Sequence, residues 1–195
     1  MKVNDYFDKV VVINLDRRPD RMERLGAQLD ELGIQYERFS AVDGRTLDIS
    51  PIIAGTMSHV AVWKKYRGKK VLVLEDDALF CENFNEKFAE YILKLPDNWD
   101  IFYLGVCLPK HTGKLEPFGN DLWQKQVFST GAQAYCLNPN KIDYFIRKID
   151  GYEWYIDIGL RLENVDNFCV VAVPNLVTQF PSYSDLRGMD VDDFN

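Results

Sequence analysis

Histidine is nearly absent: the 195 residues hold two, His59 and His111. The four cysteines (Cys81, Cys107, Cys136, Cys169) lie far apart and form no CxxC pair. Nothing in that spacing reads as a zinc site or a disulfide framework, and reduced thiols in a cytosol are expected. No apolar run approaches the roughly 20 residues of a membrane span. The run at 10–13 is too short for a signal peptide and follows Asp5 and Asp8. The expected location is cytoplasmic, with a peripheral membrane position left open. Basic excess is lacking too. The net charge of −7 argues against a general nucleic-acid footprint, so a protein handling phosphates would need a local basic site or a metal. A GxxxxGK[ST] loop is missing, which counts against an ordinary P-loop enzyme. Repeats and interdomain linkers are missing as well. What remains is a chain long enough for one full core, 47% hydrophobic and 27% charged, which is a globular composition.

The chain is organised around Val71-Leu72-Val73-Leu74-Glu75-Asp76-Asp77. Four apolar residues without polar alternation suit a strand buried on both faces. Three acids at its carboxyl end concentrate negative charge where open α/β sheets bind ligands. A divalent metal relieves that repulsion, although a solvated acidic turn has the same spelling.

Along the chain, 10–13 reads as a buried strand ending at Asn14. Pro19 starts a helix faced by Met22, Leu25, Leu29 and Leu32, and Gly33 stops it. Residues 34–39 alternate as a strand, 45–53 are irregular, and 58–66 form a short helix. Asn83 and Glu86 make a capping box for a helix with Phe84, Phe88, Tyr91, Ile92 and Leu95 on its apolar face. Residues 101–104 are a strand, and 109–123 a long loop or small hairpin. Residues 133–137 are a strand, followed by a helix with Ile142, Phe145, Ile146 and Ile149 inward. A short helix at 154–162 and a strand at 169–173 complete the pattern. The β-α alternation of the first half predicts an α/β fold, a mostly parallel sheet flanked by helices, with a less regular acceptor-shaping second half. One domain over 1–189 is expected, with an acidic, mobile tail at 190–195.

Four stretches carry candidate chemistry. Arg17, Arg21 and Arg24 fall four and three apart, able to share a helix face and grip a diphosphate, or to form a solvated face balanced by Asp16, Asp20 and Glu23. Asp43-Gly44 after a strand can hold ribose hydroxyls, or be an ordinary turn. Ser58-His59 precedes a helix, where a lone histidine is commonly a structural hydrogen-bonder. Glu75 and Asp77, one residue apart, can point to the same side of an extended turn, and hard oxygens suit magnesium or manganese.

In this order and spacing the segments resemble glycosyltransferase family 25, which includes bacterial lipopolysaccharide galactosyltransferases and collagen hydroxylysine galactosyltransferases. The similar segments are Val12-Ile13-Asn14-Leu15 with Arg17, Arg18 and Arg21; Ala41-Val42-Asp43-Gly44; Gly55-Thr56-Met57-Ser58-His59 with Trp63; and Leu74-Glu75-Asp76-Asp77. Trp99-Asp100 with Leu104-Gly105, then Gly131, Ala134 and Tyr135, Ile156-Asp157, and Pro174, Gln179, Ser184 and Asp185 continue the pattern. Thr56 departs from it, standing where the family has cysteine, and the middle loop and acceptor half are shorter than usual.

The resemblance implies a GT-A-type fold. It also implies inverting, metal-dependent transfer of a sugar, galactose from UDP-galactose, to a hydroxyl of a glycan or a hydroxylysine-type protein acceptor. Asn14, Leu15, Arg17, Arg21, Asp43, Gly44, Ser58, His59, Glu75 and Asp76 would bind the donor. Asp77 would hold Mn²⁺ or Mg²⁺ with help from Glu75. Gln179 or Asp185 would replace the histidine that such enzymes draw from the C-terminal part, or water would fill the position. Asp157 is the candidate base or a helix-capping acid, and Glu153 the reserve. A metal-dependent nucleotidyl or phosphoryl transferase, or a non-catalytic nucleotide-sugar-binding remnant, uses the same residues.

Overall fold

The apolar runs at 10–13 and 71–74 become neighbouring strands covered on both faces. The computed structural model describes residues 1–108, 113–118, 120–163, 168–184 and 189–191. It opens with α1 (Val3–Tyr6), β1 (Lys9–Asn14), α2 (Pro19–Glu31), β2 (Glu37–Ser40), α3 (Gly44–Leu47) and α4 (Pro51–Lys65). Then come β3 (Val71–Glu75), β4 (Ala78–Phe80), α5 (Phe84–Leu93), β5 (Ile101–Tyr103), β6 (Lys114–Phe118), β7 (Asn120–Phe128) and β8 (Ala134–Leu137). The last elements are α6 (Ile142–Ile149), α7 (Ile156–Glu163), β9 (Cys169–Ala172), β10 (Val177–Gln179), β11 (Ser182–Ser184) and β12 (Met189–Val191).

Eight strands form one sheet in the order β2-β1-β3-β8-β5-β9-β7-β6. β2 and β3 both run parallel to β1, the arrangement predicted for the first half. β8 then enters antiparallel between β3 and β5, so the sheet as a whole is mixed. Period-two side chains split the core in two. Val10, Val12, Leu72 and Leu74 pack under α1, α2 and α5, while Val11, Ile13, Val71 and Val73 pack under α4, α6 and α7. Each fully buried aliphatic side chain there contributes about 1.5–3 kcal/mol.

α2 keeps its predicted start at Pro19, and Gly33 takes the left-handed φ of 67° that ends it. Several boundaries differ from expectation. α4 begins at Pro51, with Ser50 accepting the Ile52 N–H, so the end of the stretch read as irregular is helical. Ala54, Thr56, Ser58, His59, Val60, Val62 and Trp63 are all buried, leaving no clean amphipathic stripe to read. α3 also falls within that stretch. Asn83 makes no side-chain cap; its φ of 55° departs from the extended backbone that N-caps adopt. The strand expected at 34–39 is confined to β2. Of the two readings for 109–123, the hairpin holds: β6 pairs antiparallel with β7, which runs on to Phe128, with residues 109–112 and 119 outside the described ones. β12 pairs with β11 and takes in the first residues of the acidic stretch at 190–195, whose remainder lies outside the described residues.

One small sheet matters for the site. β4 pairs antiparallel with β10, setting Gln179 opposite Ala78. Phe180 N–H donates to the Asp77 carbonyl at 2.6 Å. The closing segment is thereby brought to the acids, and Gly105 makes this possible. A Cβ there would sit 1.8 Å from the Val177 carbonyl oxygen. Gly105→Ala is expected to cost at least about 1–3 kcal/mol by overpacking, read as a lower urea midpoint. An unchanged midpoint would show that β10 is not held there.

Candidate active site

The carboxyl ends of β1 and β3, the turn after β2, one face of α4 and the start of α7 enclose a cleft of about 390 Å³. Ile52, Gly55, Thr56 and His59 reach it from α4 at spacings of three, four and seven, the signature of one helix face. Leu15, Arg17, Arg21, Asp43, Gly44, Ser58, His59, Glu75, Asp76, Asp77, Asp157 and Gln179 all line it. Two sequence candidates do not: Asn14 is buried outside the lining, and Glu153 is exposed and outside it. Asp185 lies outside the described residues.

The three acids have separate environments. Asp76 is buried, and its two carboxylate oxygens accept Arg21 Nη1–H at 2.7 Å and Asn14 Nδ2–H at 2.8 Å. Arg24 Nη2 donates to the Asp76 carbonyl at 3.2 Å. Asn14 therefore supports Asp76 from below the cleft. Glu75 Oε1 lies 3.2 Å from His59 Nε2. Asp77 differs from both, because its Oδ1 is buried and has no hydrogen-bond partner among the described residues. Burial first, then the negative charges of Glu75 and Asp76, push its carboxyl up to about 8 against the opposing pull of Arg21 and Arg24.

The arginines do not share one helix face as the spacing suggested. α2 starts at Pro19, so Arg17 stands in the preceding turn and pairs with Asp43 at 2.9 Å. Arg21 and Arg24 are on the helix, and the Arg24 guanidinium lies over the Phe180 ring at 4.0 Å. Asp43 also caps α3 by accepting the Arg45 N–H. The Ser58 hydroxyl accepts from Val42 N–H at 2.9 Å and donates to the Ala54 carbonyl at 2.8 Å, tying the Ala41–Gly44 turn to α4. Thr56 donates to the Trp154 carbonyl at 2.6 Å, joining α4 to the segment before α7. Asp157 Oδ2 accepts Gly131 N–H at 2.9 Å and Oδ1 accepts Ile158 N–H at 2.8 Å, so its carboxylate is fixed on the cleft wall. Gln179 Oε1 accepts from the Cys107 thiol at 3.2 Å.

Sequence reasoning missed Cys107, Thr130, Tyr155 and Phe180, which also line the cleft. Only tertiary pairing brings them there, and no local pattern marks them. It also gave no role to Trp63 and Tyr135, although the four-residue step from His59 to Trp63 places both on one face of α4.

Among the described residues, no three His, Cys, Asp or Glu side chains gather into a metal cage. A single unpartnered carboxylate oxygen still fits Mg²⁺-like ions, which are commonly bound by one or two carboxylates plus substrate phosphates.

With the geometry in place, comparison with known proteins decides the family. The model described as "Glycosyltransferase family 25 (LPS biosynthesis protein)" matches residues 50–166, more than half of the chain. The chain belongs to glycosyltransferase family 25. The family 25 match takes in α4, the three acids, Tyr135 and Asp157. The chain is 29% identical to a putative glycosyltransferase of Acanthamoeba polyphaga mimivirus over 166 residues, 74% of this chain and 48% of that one. It is 32% identical to human procollagen galactosyltransferase 2 over 133 residues, 51% of this chain and 21% of that one. A human family 25 relative named as inactive, member 3, is 33% identical over 129 residues, again 51% of this chain and 22% of its own length. The chain thus spans at most about half of these relatives. Among the described residues no helix is long and apolar enough to cross a membrane.

Proposed function

We propose that this family 25 chain binds a nucleotide diphosphate sugar in the cleft, UDP-galactose by preference. It then moves the hexose, with inversion, to a hydroxyl of a glycan or of a hydroxylated or glycosylated protein. The observation that carries the reading is the buried, unpartnered Asp77 Oδ1 in a cleft also lined by Arg17 and Asp157. The name of the human procollagen relative supports galactose and a protein acceptor, and the family description supports a glycan.

Asp77 would hold Mn²⁺ or Mg²⁺ together with diphosphate oxygens and water; the bound ion supplies Lewis-acid neutralisation of the departing diphosphate. Arg17, paired with Asp43 at 2.9 Å, lines the cleft as well. Asp43 and Gly44 border the space for ribose or base, and Glu75 accepts a donor hydroxyl. Asp157, held by two backbone N–H groups, takes the acceptor's proton as that oxygen attacks the anomeric carbon and the sugar–phosphate bond breaks.

Thermal shift with UDP-, GDP- and CMP-sugars, each with and without Mn²⁺, tests this together with a transfer assay. UDP-galactose plus Mn²⁺ should stabilise most, by about 2.7 kcal/mol at a hundredfold excess over Kd. Stabilisation by nucleoside triphosphates instead would favour a nucleotidyl or phosphoryl transferase and contradict the proposal. The likeness to a relative named inactive favours a second reading, donor binding without turnover. Stabilisation with no transfer to any member of an acceptor panel would establish that one.

A further inference from the structure

Behind Glu75 runs a chain of hydrogen bonds that the transfer itself does not use. Trp63 Nε1 lies 2.9 Å from the Tyr135 hydroxyl, which lies 2.9 Å from His59 Nδ1. His59 Nε2 then reaches Glu75 Oε1 at 3.2 Å. Trp63, Tyr135 and His59 are all buried, whereas the Glu75 side chain is 24% exposed and lines the cleft.

The direction of the protons follows from the donor inventory. Indole N–H can only donate, so the Tyr135 oxygen accepts from Trp63. That leaves the single hydroxyl proton to donate to His59 Nδ1, and the imidazole proton then sits on Nε2 and donates to Glu75. The opposite tautomer sets a bare Nε2 against a carboxylate oxygen, two acceptors facing each other. It also strands the tyrosine proton on a fully buried side chain, which is costly. A donor-only residue on α4 therefore sets the direction of every bond up to the cleft.

We propose that Trp63 and Tyr135 are positioning residues that lock His59 in the Nε2–H tautomer and thereby hold Glu75 as a hydroxyl acceptor for the donor sugar. The tautomer lock stands on the bond geometry alone; its effect on the donor rests on the transferase reading. Ring packing supports the same arrangement: His59 stacks on Tyr135 at 5.8 Å between centroids, and Trp63 meets Tyr135 edge-on at 6.5 Å.

The test uses the intact chain labelled with ¹⁵N-histidine. His111 is the one other histidine in the sequence, and a His111→Gln variant assigns the signals. Without donor, the wild type should show His59 protonated on Nε2. Tyr135→Phe keeps the ring and removes the oxygen; Glu75 still faces Nε2–H while Nδ1 loses its donor, so the Nδ1 ¹⁵N resonance should move to that of an unbonded ring nitrogen. Trp63→Phe should shift it less, because the tyrosine can still donate. In the transfer assay, Tyr135→Phe should raise the donor KM about tenfold or more with kcat nearly unchanged, the mark of a lost contact made equally in ground and transition states. A merely structural tyrosine would lower stability and leave both KM and the Nδ1 resonance alone. An Nδ1–H histidine in the wild type, or an unaltered Nδ1 resonance and KM in Tyr135→Phe, overturns the proposal. Should the wild type transfer no sugar, the transferase reading fails while the tautomer measurement still decides the lock.

Discussion

Asp77→Asn is expected to stabilise the metal-free protein and to remove metal-dependent donor use. The stability effect follows from linkage. The carboxyl rises from its ordinary 3.8 to about 8 in the fold, chiefly through burial. The folded state therefore favours the protonated acid. That contribution is complete below the ordinary value and is lost as pH rises through about 8. At pH 8 the wild type carries a cost that an amide does not. A gain of roughly 2 kcal/mol would raise Tm by about 4–8 °C for a chain of this size. Near pH 4 the two proteins should melt alike. Calorimetry at both pH values, without metal, reads the difference. The amide also removes the anionic oxygen proposed to hold the cation, so transfer should fall by about 10²-fold or more. A variant less stable than wild type at pH 8, or one with native turnover, would contradict the assignment.

Arg21→Met should destabilise more than any other single change at the acids. The Arg21–Asp76 pair has side chains only 9% and 10% exposed, at 2.7 Å. Removing the guanidinium leaves the Asp76 carboxylate buried, with Asn14 as its remaining side-chain donor among the described residues. Breaking a buried pair from one side costs about 3–5 kcal/mol, a Tm drop on the order of 10 °C. Asp76→Asn in the same chain removes the orphaned charge, so the double variant should recover most of the loss. Denaturant melts of the two single variants and the double variant measure that coupling. Losses that simply add would show that Arg21 and Asp76 act independently. This pairing also limits what Arg21 can do for a diphosphate, since its charge is already spent on Asp76.

β1, α2 and β3 announce themselves through unbroken apolar runs, Pro19 and Gly33, all local signals. α4 hid its first two turns because a helix buried on most sides carries no stripe. β4 and β10 are three residues each, too short for a period, and their pairing spans about a hundred residues of sequence, so the arrival of Gln179 and Phe180 at the acids was unreadable. The acidic cluster stood out, yet the differences among its members did not. Arg21 and Asn14 reach Asp76 and His59 reaches Glu75 from other elements, and Asp77 is distinguished by what fails to reach Oδ1. Glu153, the reserve base, shows the same limit, since four residues along the chain separate its exposed side chain from Asp157 on the cleft wall.

The central claim is that a cation held at Asp77 binds the departing diphosphate in this cleft. A crystal of the intact chain grown with UDP-galactose and Mn²⁺, with data collected at the manganese edge, tests it most directly. An anomalous peak is expected within coordination distance of Asp77 Oδ1, beside a nucleotide diphosphate bound in the same cleft. A nucleotide bound elsewhere, or a manganese peak remote from Asp77, would contradict it.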